Sequence, residues 1–228
     1  MLGSDQPAIF FPVSAEMPEG KRHFELRTLV YDFLKLAFED VALIGCDQFV
    51  YWDPGDPRAN LAPDACLRFG AKDEQFQSWK VWERGVPQVA VEIISDSDAS
   101  ELSWAEKLQR YRRLGVSELV WFDPGSPEHS LRIWDFVGDD LLERRLFQSL
   151  ARSHHLPGYW LTVREPNGGL TLRLSRDKQG LLLFPTSAEQ NAQARRAAED
   201  ELKLKTEALA AAERRIAELE ANLGRRGP

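Results

Sequence analysis

Two short apolar runs, QVAVEIIS at 88–95 and SELVWFD at 117–123, flank one helical segment, ASELSWAEKLQRYRRLG at 99–115. This arrangement constrains the fold more than any other feature of the chain. Strands joined through a helix of this length form a parallel pair by a right-handed crossover. Both faces of the first run are apolar, so it belongs in the middle of a sheet covered on both sides. In the connecting segment, Trp104, Leu108 and Tyr111 make one inward stripe, and Gly115 is placed to end the helix.

Glu92 interrupts the first run. Side chains alternate along a strand, so Val89, Val91 and Ile93 share one face, and Ala90, Glu92 and Ile94 share the other. Glu92 therefore points inward near the C-terminal end of a parallel strand, the end where open α/β sheets place their sites. A carboxylate buried without a partner is costly, and an ionised one far more so. Lys107 is one compensating group, because it lies three residues after Trp104 and four before Tyr111, on the inward stripe of the helix. Asp64 is a second member of the set, following Pro63 at the head of DACLRF. Two carboxylates on neighbouring strands with a lysine between them suit Mg²⁺, which takes oxygen ligands, usually one or two carboxylates plus waters. The lysine then orients an attacking water and stabilises charge on a phosphate. Structural readings of the same residues stand beside this one: Glu92 and Lys107 as a buried ion pair, and Asp64 as a turn residue.

The rest of the chain reads as helix, then strands, then the crossover unit, then a strand-rich end. EGKRHFELRTLVYDFLKLAFED at 19–40 is helical, with Leu26, Leu29, Val30, Phe33 and Ala37 facing inward. VALIGCDQFVYW at 41–52 reads as one strand, WDPGDPRANLAPD as a loop, DACLRFG as a short strand and FQSWKVWERGVP as irregular. Beyond the crossover, SLRIWDF, LLERRLF, GYWLTV and the pair LTLRLS and LLLF around RDKQG read as strands, the last two as a hairpin. QRYRR at 109–113 reads as a solvated basic helix face, with phosphate binding as the alternative. His154 and His155 read as a loop pair, since adjacent residues rarely face the same way, and His23 as a core histidine.

The chain divides near residue 185 into a body, 1–185, and a charged helical tail, 186–228. The tail has no aromatic residue, and its eight acids and eight bases cancel, so the net charge of −7 belongs to the body. Leu202, Leu209, Ile216 and Leu223 recur every seven residues, with Lys205, Ala212 and Leu219 on the second seam. That pattern supports either a dimerising coiled coil or a single solvated helix. Pro185 followed by Thr186 or Ser187, with Glu189 or Gln190 behind, supplies the helix start. The acidic body weighs against broad nonspecific binding to phosphate backbones. No apolar run is long enough to cross a membrane, and the opening MLGSDQPAIFFPVS lacks the pattern of a signal peptide. Cys46 and Cys66 form no CxxC and fit a reducing, cytoplasmic setting. No nucleophile elbow, zinc-protease or phosphate-loop motif is present.

Pro63-Asp64, VEII around Glu92 and AEKLQRYRRLGVSELVWFDP together resemble the PD-(D/E)XK nuclease superfamily, and in detail the Uma-two family of restriction-endonuclease-like proteins. The resemblance spans residues 20 to 165 or so. It implies an α/β fold: a restriction-endonuclease-like mixed sheet core flanked by helices, followed by the helical, coiled-coil-like tail. It implies Asp64 and Glu92 as ligands of Mg²⁺, with Mn²⁺ as a substitute, and a catalytic lysine. The superfamily's usual lysine position is Ile94 here, and Lys107 on the next helix takes that role in this family. The superfamily often adds an acid on the first helix, for which Glu25 is the placed residue. The implied activity is metal-dependent hydrolysis of phosphodiester bonds in nucleic acid, with DNA as substrate; the heptad spacing of the tail adds a homodimer as the expected assembly. The alternative is a catalytically inactive nuclease-fold adaptor that oligomerises through its tail.

Overall fold

The strand around Glu92 is β6, Val89–Ile93, and it lies third in a six-stranded sheet. The computed structural model describes residues 9–12, 20–70, 72–95, 103–146 and 150–224, with the backbone alone at 221, 223 and 224. The helix start expected at 99, the last residue of LLERRLF and the Leu223 side chain lie outside the described residues. In chain order the elements are α1 (Lys21–Phe38), β1 (Ala42–Gly45), β2 (Val50–Tyr51), β3 (Asn60–Leu61), β4 (Ala65–Phe69), β5 (Trp79–Lys80) and α2 (Val81–Arg84). They continue with β6, α3 (Trp104–Leu114), β7 (Glu118–Phe122), β8 (Leu131–Val137), β9 (Asp140–Glu143), β10 (Leu150–Arg152), β11 (Tyr159–Arg164), β12 (Leu170–Ser175) and α4 (Ser187–Gly224).

The main sheet runs β1-β4-β6-β7-β8-β9. Only β6 and β7 pair in parallel; the other neighbours are antiparallel. The parallel pair is the one joined through α3, as the crossover argument requires. The fold is thus a mixed sheet flanked by helices, with a long helix at its C-terminal end.

The alternation along β6 sorts two cores. Val89, Val91 and Ile93 join Leu26, Val30 and Phe33 of α1 and Trp160, Leu172 and Leu174 of the β10-β11-β12 sheet. Ala90 joins Tyr111 and Leu114 of α3, with Val50 and Trp79 of the small β3-β2-β5 sheet. Both faces of β6 are therefore covered, and all five of its residues are buried. α3 begins at Ser103, whose hydroxyl accepts from the Glu106 N–H while the Glu106 carboxylate accepts from the Ser103 N–H, a reciprocal cap. It ends at Gly115, which takes the left-handed φ of 79° that a side chain would strain.

Two expected strands differ. VALIGCDQFVYW is two strands, because the chain turns after Gly45. Asp47 adopts a positive φ of 52°, and its N–H donates to the Pro63 carbonyl at 3.0 Å. Asp47 also pairs with Arg27 of α1. Val50 and Tyr51 consequently leave the main sheet for the small one. LLLF makes only an isolated bridge, Leu183 to Ser175. Asp177 is the cause: its Oδ1 accepts from the N–H groups of Leu181 and Leu182 at 2.9 and 2.8 Å, in competition with a longer ladder.

The chain forms two compact units, Met1–Phe184 and Pro185–Pro228. In the second, the Thr186 N–H donates to Glu189 and the Thr186 hydroxyl accepts from the Glu189 N–H, so the reciprocal cap sits at Thr186. Among the described residues no helix is long and apolar enough to cross a membrane.

Candidate active site

The antiparallel register of β4 and β6 sets Ala65 opposite Val91, and the same register carries Asp64 opposite Glu92. Both are buried, at 7% and 5% exposure, at the end of the sheet where β6 finishes. Three backbone-anchored elements converge on them. β6 itself supplies the Ile93 N–H, which donates to Asp64 Oδ2 at 2.7 Å. α3 supplies Lys107, whose ammonium lies 3.3 Å from Glu92 Oε2, and Tyr111, whose hydroxyl donates to Glu92 Oε1 in a short bond. α1 supplies His23, with Nε2 2.9 Å from the Ile93 carbonyl and 3.2 Å from Asp64 Oδ1.

The electrostatics follow from burial. Withdrawal from water pushes the Glu92 carboxyl up to about 7. Lys107 opposes this and Asp64 reinforces it, while the Tyr111 and Lys107 hydrogen bonds hold the ionised form. Burial, followed by the neighbouring Glu92, raises the Tyr111 phenol well above its usual range, so it remains a donor. A carboxyl at about 7 exchanges its proton near neutrality, which is a common mark of functional sites.

The oxygen atoms here suit a hard cation. Asp64, Glu92 and the Ile93 carbonyl offer only oxygen, the ligand type of Mg²⁺ rather than of zinc. The His23 Nε2 position lies within hydrogen-bond reach of both Asp64 Oδ1 and the Ile93 carbonyl, so these two oxygens converge on one point.

Glu25 is placed differently. It is half-exposed and pairs with Lys21 at 3.7 Å and Arg22 at 3.8 Å, on the outer side of α1. Two residues along a helix is more than half a turn, so α1 turns His23, not Glu25, toward the carboxylates. The contacts of His23 and Tyr111 with this acid pair were hidden in the sequence. Tyr111 reads as core from the α3 stripe, yet it is four residues from Lys107 on the same face, and that spacing is the signal that points it at Glu92. In QRYRR, Arg110 donates to the Asn60 carbonyl and Arg112 to that of Asp139, so two of the three arginines cap loops.

A second acidic cluster lies elsewhere in the sheet. Glu118, Asp135 and His154 are the one group of three metal-type side chains brought together among the described residues. Its centre already holds a cation, the guanidinium of Arg144, which bonds Asp135 through Nε at 2.8 Å and reaches Glu118 at 3.2 Å. Glu118 also accepts from Ser153 Oγ, the His154 N–H and Trp160 Nε1. The cluster is a satisfied ion-pair network. His154 enters it and His155 does not.

Fold and site together define a mixed α/β domain with a buried acid pair and a lysine at one end of its sheet. The chain belongs to the Uma2 family, described as "Putative restriction endonuclease", whose profile matches residues 13–164. Among solved structures it is similar to a "putative nuclease belonging to DUF820 from Anabaena variabilis", at 11% identity and a TM-score of 0.43. That similarity covers 60% of this chain and 74% of the other. No curated protein matches the chain.

Proposed function

We propose that the protein is a Mg²⁺-dependent endonuclease that hydrolyses phosphodiester bonds of nucleic acid, with DNA as its substrate. The observation that carries this reading is the Lys107 ammonium 3.3 Å from a buried Glu92 whose strand register sets Asp64 opposite. Asp64, Glu92 and the Ile93 carbonyl would hold the cation. A divalent cation held by these residues would supply polarisation of a phosphoryl oxygen and acidify a bound water. The chain's own groups do the rest. The Ile93 N–H and the Tyr111 hydroxyl fix the two carboxylates in orientation. Lys107 places its charge where the phosphate's negative charge grows, and it holds water against the reacting group. His23 keeps the Ile93 carbonyl aimed at the site. Glu25, on the outer face of α1, takes no part in these contacts.

The tail completes the proposal. Leu202, Leu209, Ile216 and Leu219 are 50–66% exposed. A helix with such a stripe gains its stability by laying it against a second helix, and the proposed assembly is a homodimer through α4.

The test is a plasmid and oligonucleotide cleavage assay with Mg²⁺ or Mn²⁺. Wild-type protein cuts, EDTA abolishes cutting, and Glu92→Gln is inactive. Equal cleavage by wild type and variant identifies a contaminant and refutes the reading in favour of a catalytically inactive adaptor.

A further inference from the structure

Resting on the nuclease reading of Asp64 and Glu92, we propose that the Arg132 guanidinium is a stacking platform for an unpaired base beside the scissile phosphate. The substrate is then a nucleic-acid strand carrying unpaired nucleotides. The argument starts from register. Glu92 of β6 is paired with Trp121 of β7, and Trp121 with Arg132 of β8. Asp64, Glu92, Trp121 and Arg132 therefore form one row across four neighbouring strands. The row faces α3, because Glu92 bonds Lys107 and Tyr111 and the Trp121 ring packs on Trp104 at 6.1 Å. Strands lie about 4.8 Å apart, so Arg132 departs from the sheet about 10 Å from Glu92. Nucleotides in a stacked strand rise about 3.4 Å each, which puts Arg132 within about three nucleotides of the reacting phosphate.

The guanidinium is held in a particular way. Its Nε and Nη2 donate to the two oxygens of Glu143 at 2.7 and 2.6 Å, a fork contact made through the edge of the plane. The indoles of Trp121 and Trp134 lie against it, with ring centroids 5.4 and 4.8 Å from its central carbon. The edge is thus taken by Glu143 and aromatic rings support the group, while 36% of the side chain stays exposed. It opens on a groove of about 970 Å³ lined also by Glu128, His129, Glu143, Arg144 and Arg145. With its charge shared by Glu143, Arg132 has little to add as a phosphate contact. What it presents is a flat, immobilised cationic face on an aromatic base, a surface on which RNA- and single-strand-binding proteins stack bases. A base inside a duplex keeps its faces against its neighbours, so the platform selects unpaired nucleotides.

The test uses full-length Glu92→Gln protein without metal, so that binding is read apart from cleavage. Fluorescence anisotropy measures a labelled single strand, the matching duplex and an abasic strand of equal length. Expected are a preference for the single strand over duplex and abasic strands, and a roughly tenfold loss for the single strand on adding Arg132→Ala. Arg132→Lys, which keeps the charge and loses the plane, gives a similar loss. Neither substitution changes binding of the abasic strand by more than about twofold. Arg132→Lys binding like its parent, or equal losses on intact and abasic strands, overturns the platform while leaving the nuclease reading in place. Failure to bind any oligonucleotide overturns the platform, while the nuclease reading stands or falls with the cleavage assay above. Far-UV circular dichroism confirms that each variant is folded.

Discussion

Glu92→Gln is expected to make the protein more stable at pH 8 while removing its activity. Burial raises the Glu92 carboxyl from 4.5 to about 7. Its pKa is higher folded than unfolded, so the folded state binds more protons between these values. Stability from this group is fully present below about 4.5, falls as pH rises, and is fully lost above about 7. A shift of this size corresponds to about 3 kcal/mol. Gln reproduces the shape and the neutrality of the protonated acid, and its carbonyl accepts from Tyr111. The variant should therefore hold the low-pH stability of wild type at every pH. For a chain of this size each kcal/mol moves the melting temperature by about 2–4 °C, so the gain at pH 8 is about 6–12 °C. The assay is a pair of metal-free thermal melts, wild type and variant, from pH 5 to pH 8. The two curves should meet near pH 5 and separate toward pH 8. Adding Mg²⁺ at pH 8 should raise the wild type alone, because a ligand that binds only the folded state stabilises it. A variant less stable at pH 8, or a gap that does not change with pH, refutes the assignment of Glu92 as a buried carboxylate of raised pKa.

Lys107→Met removes the largest influence lowering the Glu92 pKa. It should cut activity by about 100-fold or more and move the acid limb of the pH–rate profile to higher pH, since ionised Glu92 is the form required. Tyr111→Phe removes a hydrogen bond to that same ionised form. It should shift the limb in the same direction and cost about 1–3 kcal/mol in denaturant unfolding, because Glu92 Oε1 loses its donor. Arg144→Met leaves Glu118, which is 0% exposed, without its cation; a loss of about 3–5 kcal/mol is expected in the same measurement. Truncation after Pro185 should lower the mass seen by light scattering while the body stays folded, and Lys205→Leu on the second seam should tighten the full-length assembly. A dimer that survives truncation would place the interface on the body.

The local parts of this fold were legible because they depend on local physics. Alternation along Val89–Ile93 separates the two cores without reference to any distant residue, and helical spacing alone puts Lys107 and Tyr111 on one face. The end of α3 follows from Gly115. What escaped is non-local. The break after Gly45 depends on Asp47 meeting the Pro63 carbonyl and Arg27, residues 16 and 20 positions away. The loss of the LLLF strand depends on one carboxylate, Asp177, taking two N–H groups that read as ladder donors. His23 could be recognised as facing the core, but not as reaching the Ile93 carbonyl, 70 residues on. The Glu118 network draws on five places in the chain, Glu118, Asp135, Arg144, Ser153–His154 and Trp160, and no local pattern joins them.

The two buried glutamates show why burial by itself does not identify a working group. Glu118 and Glu92 both belong to the central parallel pair, and both are withdrawn from water. A carboxylate has about four acceptor positions. Glu118 fills four with Ser153, His154, Trp160 and Arg144, three of them neutral donors on fixed structure. Among the described residues Glu92 accepts from two, the Tyr111 hydroxyl and the Lys107 ammonium. The first arrangement stabilises a charge permanently and gives it nothing further to do. The second leaves acceptor capacity unused beside a second carboxylate and keeps the proton affinity near neutrality, which is what the proposed cation site requires. That unspent capacity, more than the presence of an acid in the core, is what separates Glu92 from Glu118 and favours a catalytic role for the end of β6.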